Sequence, residues 1–270
     1  MPTPMPTPTP TPTPTPDKSW SSVAVAIPCY NEAAAIGEVI ARWREALPTA
    51  EVVVFDNASD DGTGAIAEGL GVRVVHVPDR GKGNAVRVIF KVLRDRDAVI
   101  LVDGDGTYPA EMAAALLAPV LQGTADMAVG ARRPTAGAGA MSPLRGAGNL
   151  LIRAAFFALI GAGPGDLLSG YRAFGRRFRE AVHPRATGFE IEAELACEAV
   201  ARRMRVVEVP VPYRPRIAGT ASKLRAFRDG RRIVATILGR SLRLRPWRPV
   251  GLAALMVIAL VLAIVGLRPG

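Results

Sequence analysis

From residue 23 onward, short apolar runs alternate with stretches of helical spacing. The runs fall at 23–27, 52–55, 72–75, 99–102 and 127–129, and helices are expected near 33–46, 63–69, 83–94 and 109–122. A strand that is apolar at nearly every position must be covered on both faces. The alternation therefore predicts an α/β fold, a Rossmann-like and mostly parallel sheet with helices on both sides. After residue 130 the pattern loosens into Gly- and Ala-rich loops, helices around 144–160 and 189–204, and a strand near 206–213. With 270 residues, 49% of them hydrophobic, the chain has material for one such domain plus appendages and is not mainly disordered.

The appendages differ sharply in composition. Residues 2–16 alternate Pro and Thr around Met5, a pattern that builds no core and predicts an extended tail over 1–20. The net charge of +10 is concentrated: residues 214–248 hold ten Arg and Lys223 against the single acid Asp229, so the remainder is neutral. Residues 250–267 then carry no charge. At about 1.5 Å per residue that run extends roughly 27 Å, enough to cross a bilayer core. Trp247 stands at its head with Arg243, Arg245 and Arg248 beside it, which by the positive-inside rule predicts a single C-terminal span with the main domain in the cytoplasm. Leu224, Phe227, Val234, Ile237, Leu238 and Leu242 fall near one face of a helix, as in an interfacial amphipathic helix. The expected divisions are thus a tail at 1–20, a main domain at 21–220, a basic interfacial helix at 221–246 and a membrane anchor at 247–270. A basic stretch beside an apolar span reads as a membrane surface rather than a nucleic-acid site. Two cysteines make no disulfide framework, and two histidines make no His-rich metal site.

In a parallel sheet, ligands bind beyond the carboxyl ends of the strands. The first strand ends in Pro28-Cys29-Tyr30-Asn31-Glu32, the second in Asp56-Asn57-Ala58-Ser59-Asp60-Asp61, and the fourth in Asp103-Gly104-Asp105-Gly106-Thr107. One acidic loop means little, because Asp and Asn favour turns and helix caps. Three on one sheet edge mark a site. Two carboxylates one residue apart, each followed by Gly, can turn toward one point and suit a hard cation such as Mg²⁺ or Mn²⁺ bridging a diphosphate. Gly81-Lys82-Gly83-Asn84 opens a helix and departs from both the Walker A and G-x-G-x-x-G patterns, but sets Lys82 at a helix start where an anion can bind.

These residues resemble the inverting glycosyltransferases of family 2, which have a GT-A fold, and among them the polyprenyl-phosphate sugar synthases such as dolichyl-phosphate mannose synthase. The matching stretches are I-P-C-Y-N-E (27–32), D-N-A-S-D-D-G-T (56–63), G-K-G-N-A (81–85), D-G-D-G-T-Y (103–108), G-A-R-R (130–133), L-S-G-Y-R (168–172), G-F-E-I-E-A-E (188–194) and S-K-L-R-A-F-R-D-G-R-R-I (222–233). The resemblance implies that Pro28, Tyr30, Glu32 and Asp56 contact the nucleotide, with Lys82 near the donor. It implies that Asp103 approaches the nucleotide-sugar and that Asp105, with Asp103, holds Mg²⁺ or Mn²⁺. Arg132, Arg145, Asn149 and Lys223 would grip an acceptor phosphate. Thr107 stands where mannose-type synthases carry a Gln or His metal ligand.

The expected partners are a nucleotide-sugar with UDP or GDP, a polyprenyl phosphate and the membrane; a homo-oligomer is left open. A lipid phosphate is already ionised near neutral pH and needs no general base, so orientation and electrostatics would carry an inverting, in-line transfer. A hydroxyl acceptor would need a carboxylate base, for which Asp166, Glu190, Glu192 and Glu194 are the candidates. A nucleotide-sugar-binding membrane protein without catalysis is the third reading, against which the complete Asp103/Asp105 pair argues.

Overall fold

The computed structural model describes residues 20–134, 143–223, 225–248 and 251. Four βα units come first: β1 (Val23–Cys29), α1 (Ala33–Ala46), β2 (Glu51–Asp56), α2 (Thr63–Gly69), β3 (Arg73–His76), α3 (Lys82–Val92) and β4 (Ala98–Leu101). The fourth helical stretch resolves into a 3₁₀ turn at Ala110–Met112 and α4 (Ala113–Leu121). Then follow β5 (Met127–Pro134), α5 (Pro143–Leu159), β6 (Arg172–Gly175), α6 (Arg176–Ala181), α7 (Ile191–Ala201), β7 (Val206–Tyr213) and α8 (Ala226–Leu244).

The strands form one seven-stranded sheet in the order β3-β2-β1-β4-β6-β5-β7. Every pairing is parallel except those of β6, which runs antiparallel between β4 and β5. Successive side chains of a strand point to opposite faces, and each face here has its own core. Val23, Val25, Ile27, Val52, Val54, Ala98 and Ile100 pack with Ile36, Ile40, Trp43, Leu116 and Leu117 of α1 and α4. Ala24, Ala26, Val53, Phe55, Val99 and Leu101 pack with Ile89 and Phe90 of α3, Phe178 of α6 and Leu195 of α7 on the other side. Double coverage is why these strands read as unbroken apolar runs.

β6 and α6 carry no such signal in the sequence. R-A-F-G is four residues long and starts on a fully buried Arg172. That guanidinium is accommodated by donating to the carbonyls of Leu167 (2.7 Å) and Ser169 (3.0 Å), so a charged residue serves a central strand.

A third cluster joins α5, α7 and α8 through Phe156, Ile160, Ala196, Cys197, Ile233 and Ile237. Ile237 therefore points inward, whereas Phe227, Val234, Leu238 and Leu242 stay exposed on the outer face of α8. Ion pairs onto buried glutamates reinforce the docking: Arg232 of α8 meets Glu190 at 2.6 Å, and Arg240 pairs with both Glu194 and Glu198. Among the described residues no helix is long and apolar enough to cross a membrane. The Pro/Thr tail, Leu224 and, apart from residue 251, the apolar run 250–267 lie outside the described residues.

Candidate active site

The topology brings six loops to one sheet edge. The parallel strands β1, β2 and β4 deliver residues 30–32, 57–62 and 102–108. β5 ends there with Arg132 and Arg133, and β7 leads into residues 214–223. Antiparallel β6 starts at this edge and so contributes the loop before it, residues 166–171.

Asp103 and Asp105 stand at the centre, each matched with a cation. Lys82 Nζ lies 2.5 Å from Asp103 Oδ1 and 2.7 Å from Glu192 Oε1. Burial alone would depress the Lys82 ammonium, but the two carboxylates more than offset it and hold its pKa above the ordinary lysine value. Asp105, almost fully buried, accepts on Oδ1 from Thr107 N (3.0 Å) and Thr107 Oγ1 (2.7 Å), while Oδ2 faces Arg216 Nη1 at 2.5 Å. Thr107 thus spends its hydroxyl proton on orienting Asp105. Gly170 packs against the Lys82–Asp103 pair, where an added Cβ would overlap Asp103 Oδ2 and come within 2.8 Å of Lys82 Nζ. Gly170 N donates to Tyr108 Oη at 2.9 Å, which fixes that close approach.

The N-terminus of α3 is not an open anion cradle. Thr187 O accepts from Gly83 N (3.1 Å) and Asn84 N (3.4 Å), and Gly81 at φ +129° has no room for a Cβ beside that carbonyl. Thr187 is held in turn by Glu190, which accepts from its N–H at 3.2 Å, and by Arg232, which donates to its Oγ1 at 2.7 Å. A continuous path therefore runs from α8 through Thr187 to the backbone that carries Lys82.

At the β1–β2 end, Pro28 and Tyr30 are half-buried and the Arg80 guanidinium sits 4.6 Å from the Tyr30 ring centroid. Asp56 is buried, accepts from Ser59 N at 3.2 Å and lies 3.4 Å from His76 Nδ1. Asn57 Oδ1 accepts from Gly81 N at 2.6 Å, tying this loop to α3. Burial raises the Glu32 carboxyl pKa against the opposing pull of Lys223, 3.1 Å away, and Glu32 Oε2 is buried without a partner. Asp61 accepts from Ala33 N (2.9 Å) and Thr63 N (3.0 Å), so it serves the starts of α1 and α2. Cys29 is buried, and desolvation first, then the surrounding acids, push its thiol well above the ordinary value, as befits a packing residue.

The four residues expected around an acceptor phosphate are not placed alike. Arg132 forms a fork on Asp166, with Nε at 2.8 Å and Nη2 at 2.7 Å, and lies over the Tyr213 ring. Lys223 donates to Asn31 O at 2.7 Å and faces Glu32, at the β1–β2 end of the edge. Asn149 lies on α5, the helix that packs against α8. The Arg145 side chain lies outside the described residues. Each acid considered as a base has a basic partner: Asp166 has Arg132, Glu190 has Arg232, Glu192 has Lys82 and Glu194 has Arg240.

Arg216 and Gly170 were missed by sequence reasoning. Gly170 sits inside the quoted L-S-G-Y-R stretch and Arg216 inside the basic run, but neither spacing reveals the aspartate it meets more than sixty residues away.

The donor set fits a hard divalent cation. Two carboxylates at one strand end, one with an oxygen already facing a positive charge, are the ligands such ions take together with substrate phosphates. Among the described residues no group of three or more His, Cys, Asp or Glu is placed to hold a metal, so the shell would be completed by the diphosphate and water.

The pattern described as Glycosyl transferase family 2 matches residues 24–154. Glycosyltransferase AglJ of Haloferax volcanii is 39% identical over 209 residues, 77% of this chain and 68% of that protein. A dolichyl-phosphate hexose transferase of the same organism is 34% identical, over 82% of this chain and 94% of that protein. Among solved structures, glucosyl-3-phosphoglycerate synthase from Mycobacterium tuberculosis, in complex with Mn²⁺, uridine diphosphate and phosphoglyceric acid, superposes with a TM-score of 0.66. That match has 26% identity and covers 81% of this chain and 78% of that one.

Proposed function

The chain belongs to glycosyl transferase family 2 and is a glycosyltransferase of GT-A-like fold, and from that premise we propose that it moves a sugar from a UDP- or GDP-sugar to a polyprenyl phosphate. The observation that carries the reading is the pairing of every carboxylate weighed as a base with a cation. A hydroxyl acceptor needs a carboxylate free to take its proton, whereas a phosphate acceptor arrives ionised. The name of the dolichyl-phosphate hexose transferase, matched over nearly its whole length, supports the same acceptor class.

In this mechanism Pro28, Tyr30, Glu32 and Asp56 line the nucleotide end of the edge. Asp105, oriented by Thr107, and Asp103 hold the cation. When bound, a divalent ion supplies Lewis-acid neutralisation of the departing diphosphate. Lys82, kept charged between Asp103 and Glu192, fixes the Asp103 carboxylate and adds positive potential beside the donor. Arg132, steered by Asp166, is assigned to the acceptor phosphate with Arg145 and Asn149, whereas Lys223, bound to Asn31 O and Glu32, stands beside the nucleotide residues and would have to leave Glu32 to join them. The lipid phosphate oxygen attacks the anomeric carbon opposite the leaving group and inverts it, and proximity and orientation provide the rate.

The lipid acceptor calls for a membrane location. The uncharged run 250–267, the Arg-rich segment before it and the exposed Phe227, Val234, Leu238, Leu242 and Trp247 support a C-terminal anchor with the catalytic domain on the cytoplasmic side.

The test is a donor panel. Purified protein in detergent is given Mg²⁺ or Mn²⁺, undecaprenyl phosphate and labelled UDP- and GDP-sugars. Transfer from one donor is expected. Asp105→Ala should lower it by roughly 10²–10³-fold, the scale of a lost electrostatic contact to the departing group. Transfer that survives Asp105→Ala unchanged would refute the assignment of that residue.

A further inference from the structure

The cation place on Asp105 is filled by the protein's own chain. Arg216 Nη1 lies 2.5 Å from Asp105 Oδ2, the oxygen that Thr107 leaves open. Residues 214–223 are pinned across the D-x-D loop by backbone bonds. Arg214 N donates to Thr107 O at 3.0 Å, and Ile217 N donates to Asp105 O at 3.1 Å. Ile217 sits directly on Gly106, whose φ of +75° and missing Cβ leave room for it. Further along, Gly219 packs on Ala34 and Lys223 binds Asn31 O and Glu32. The Arg216 guanidinium is therefore delivered to Asp105 by a fixed backbone.

We propose that Arg216 is a resident counter-cation that holds the metal's place on Asp105 and makes the metal enter with the donor rather than before it. The proposal rests on the metal-dependent reading above. The argument is one of charge. Asp103, Asp105 and Glu192 carry three negative charges, and Lys82 and Arg216 carry two positive ones. A lone divalent cation added to that set leaves an excess of positive charge in a partly buried site, where like charges repel more strongly than in bulk water. Accompanied by the two negative charges of a diphosphate, the same ion leaves the balance unchanged. The two bases are not equivalent. Lys82 is 10% exposed and shared between two carboxylates, whereas Arg216 is 34% exposed and, among the described residues, makes its close ion pair with Asp105 alone and feels Glu32 only at longer range, so Arg216 is the group that yields.

Mn²⁺ binding to the full chain in detergent tests this, read as loss of the free-ion electron paramagnetic resonance signal, without donor or acceptor. Arg216→Gln is expected to bind Mn²⁺ about tenfold tighter than wild type, the effect of removing one adjacent like charge. Arg216→Lys, which keeps the charge, should stay near wild type. Saturating UDP or GDP should tighten wild-type binding and close most of the gap. Equal or weaker Mn²⁺ affinity in Arg216→Gln, with wild type binding Mn²⁺ normally in the presence of nucleotide, overturns the proposal and leaves the metal reading standing. A gain that persists in Arg216→Gln/Asp105→Asn also overturns it, because the ion would then lie elsewhere. Mn²⁺ binding to neither protein, with or without nucleotide, refutes the metal reading itself and this inference with it.

Discussion

Gly170 shows how tightly the site is built around single atoms. A methyl group there meets the ends of two side chains, Asp103 and Lys82, rather than backbone. Gly170→Ala should therefore fold, with Tm within about 3 °C of wild type, yet displace the pair and weaken donor binding by roughly 10–100-fold. Calorimetric titration with the nucleotide-sugar checks both halves. Glu192→Gln separates the two acceptor chemistries: a general base is worth about 10²–10⁴-fold in rate. Because Glu192 is engaged with Lys82, its loss is expected to lower kcat by about tenfold or less. At this scale the sequence was partly legible. Two aspartates one residue apart at the end of an apolar run could be read directly, because strand ends place side chains on the ligand edge. The partners that charge-balance them could not, since Lys82 and Arg216 reach Asp103 and Asp105 from two other segments of the chain.

Among elements, α8 is the one whose role the sequence left half-visible. Its amphipathic spacing was plain, but its inner face is held by ionic contacts as much as by apolar ones. Arg240, 20% exposed, answers two buried glutamates; Arg240→Met leaves Glu194 to the Arg185 and Ala186 N–H groups and Glu198 to Arg202, and should cost about 1–3 kcal/mol after allowing for solvent screening. Hydrogen exchange should then rise in α8 before it rises in the central strands. Asp126 anchors the start of β5 by accepting from Arg205 N at 2.7 Å and pairing with Arg177 at 3.1 Å. Burial pushes its carboxyl up, but these contacts win and hold the pKa below the ordinary value. A depressed folded pKa contributes stability above the unfolded carboxylate pKa of about 3.9 and loses it as pH falls below that. Asp126→Asn should thus cost roughly 1–2 kcal/mol at pH 7. The gap to wild type should shrink below about pH 4 in denaturant titrations. The strands β1, β2 and β4 were legible because both faces are apolar. β6 was not, because a buried Arg satisfied by carbonyls looks like a loop residue until the fold supplies them.

For the whole molecule, the decisive pattern is where charge and exposed apolar surface fall together. The net charge lies between residues 214 and 248, and α8 in that stretch presents Phe227, Val234, Leu238 and Leu242 outward. The triple variant Phe227→Ser/Leu238→Ser/Leu242→Ser should loosen association with anionic vesicles, most visibly in a chain truncated after residue 248. Binding of that truncated chain should also weaken with salt, each surface Lys or Arg being worth about 1 kcal/mol at low ionic strength. Vesicle flotation reads both effects. The central claim is that this glycosyltransferase delivers its sugar to a lipid phosphate. It is tested most directly by offering the enzyme, with Mg²⁺ or Mn²⁺ and a labelled nucleotide-sugar, either undecaprenyl phosphate or undecaprenol, and counting label in the organic phase. Label should follow the phosphate and be absent with the free alcohol. Transfer to undecaprenol, or no transfer to the phosphate from a donor the protein demonstrably binds, would contradict the account.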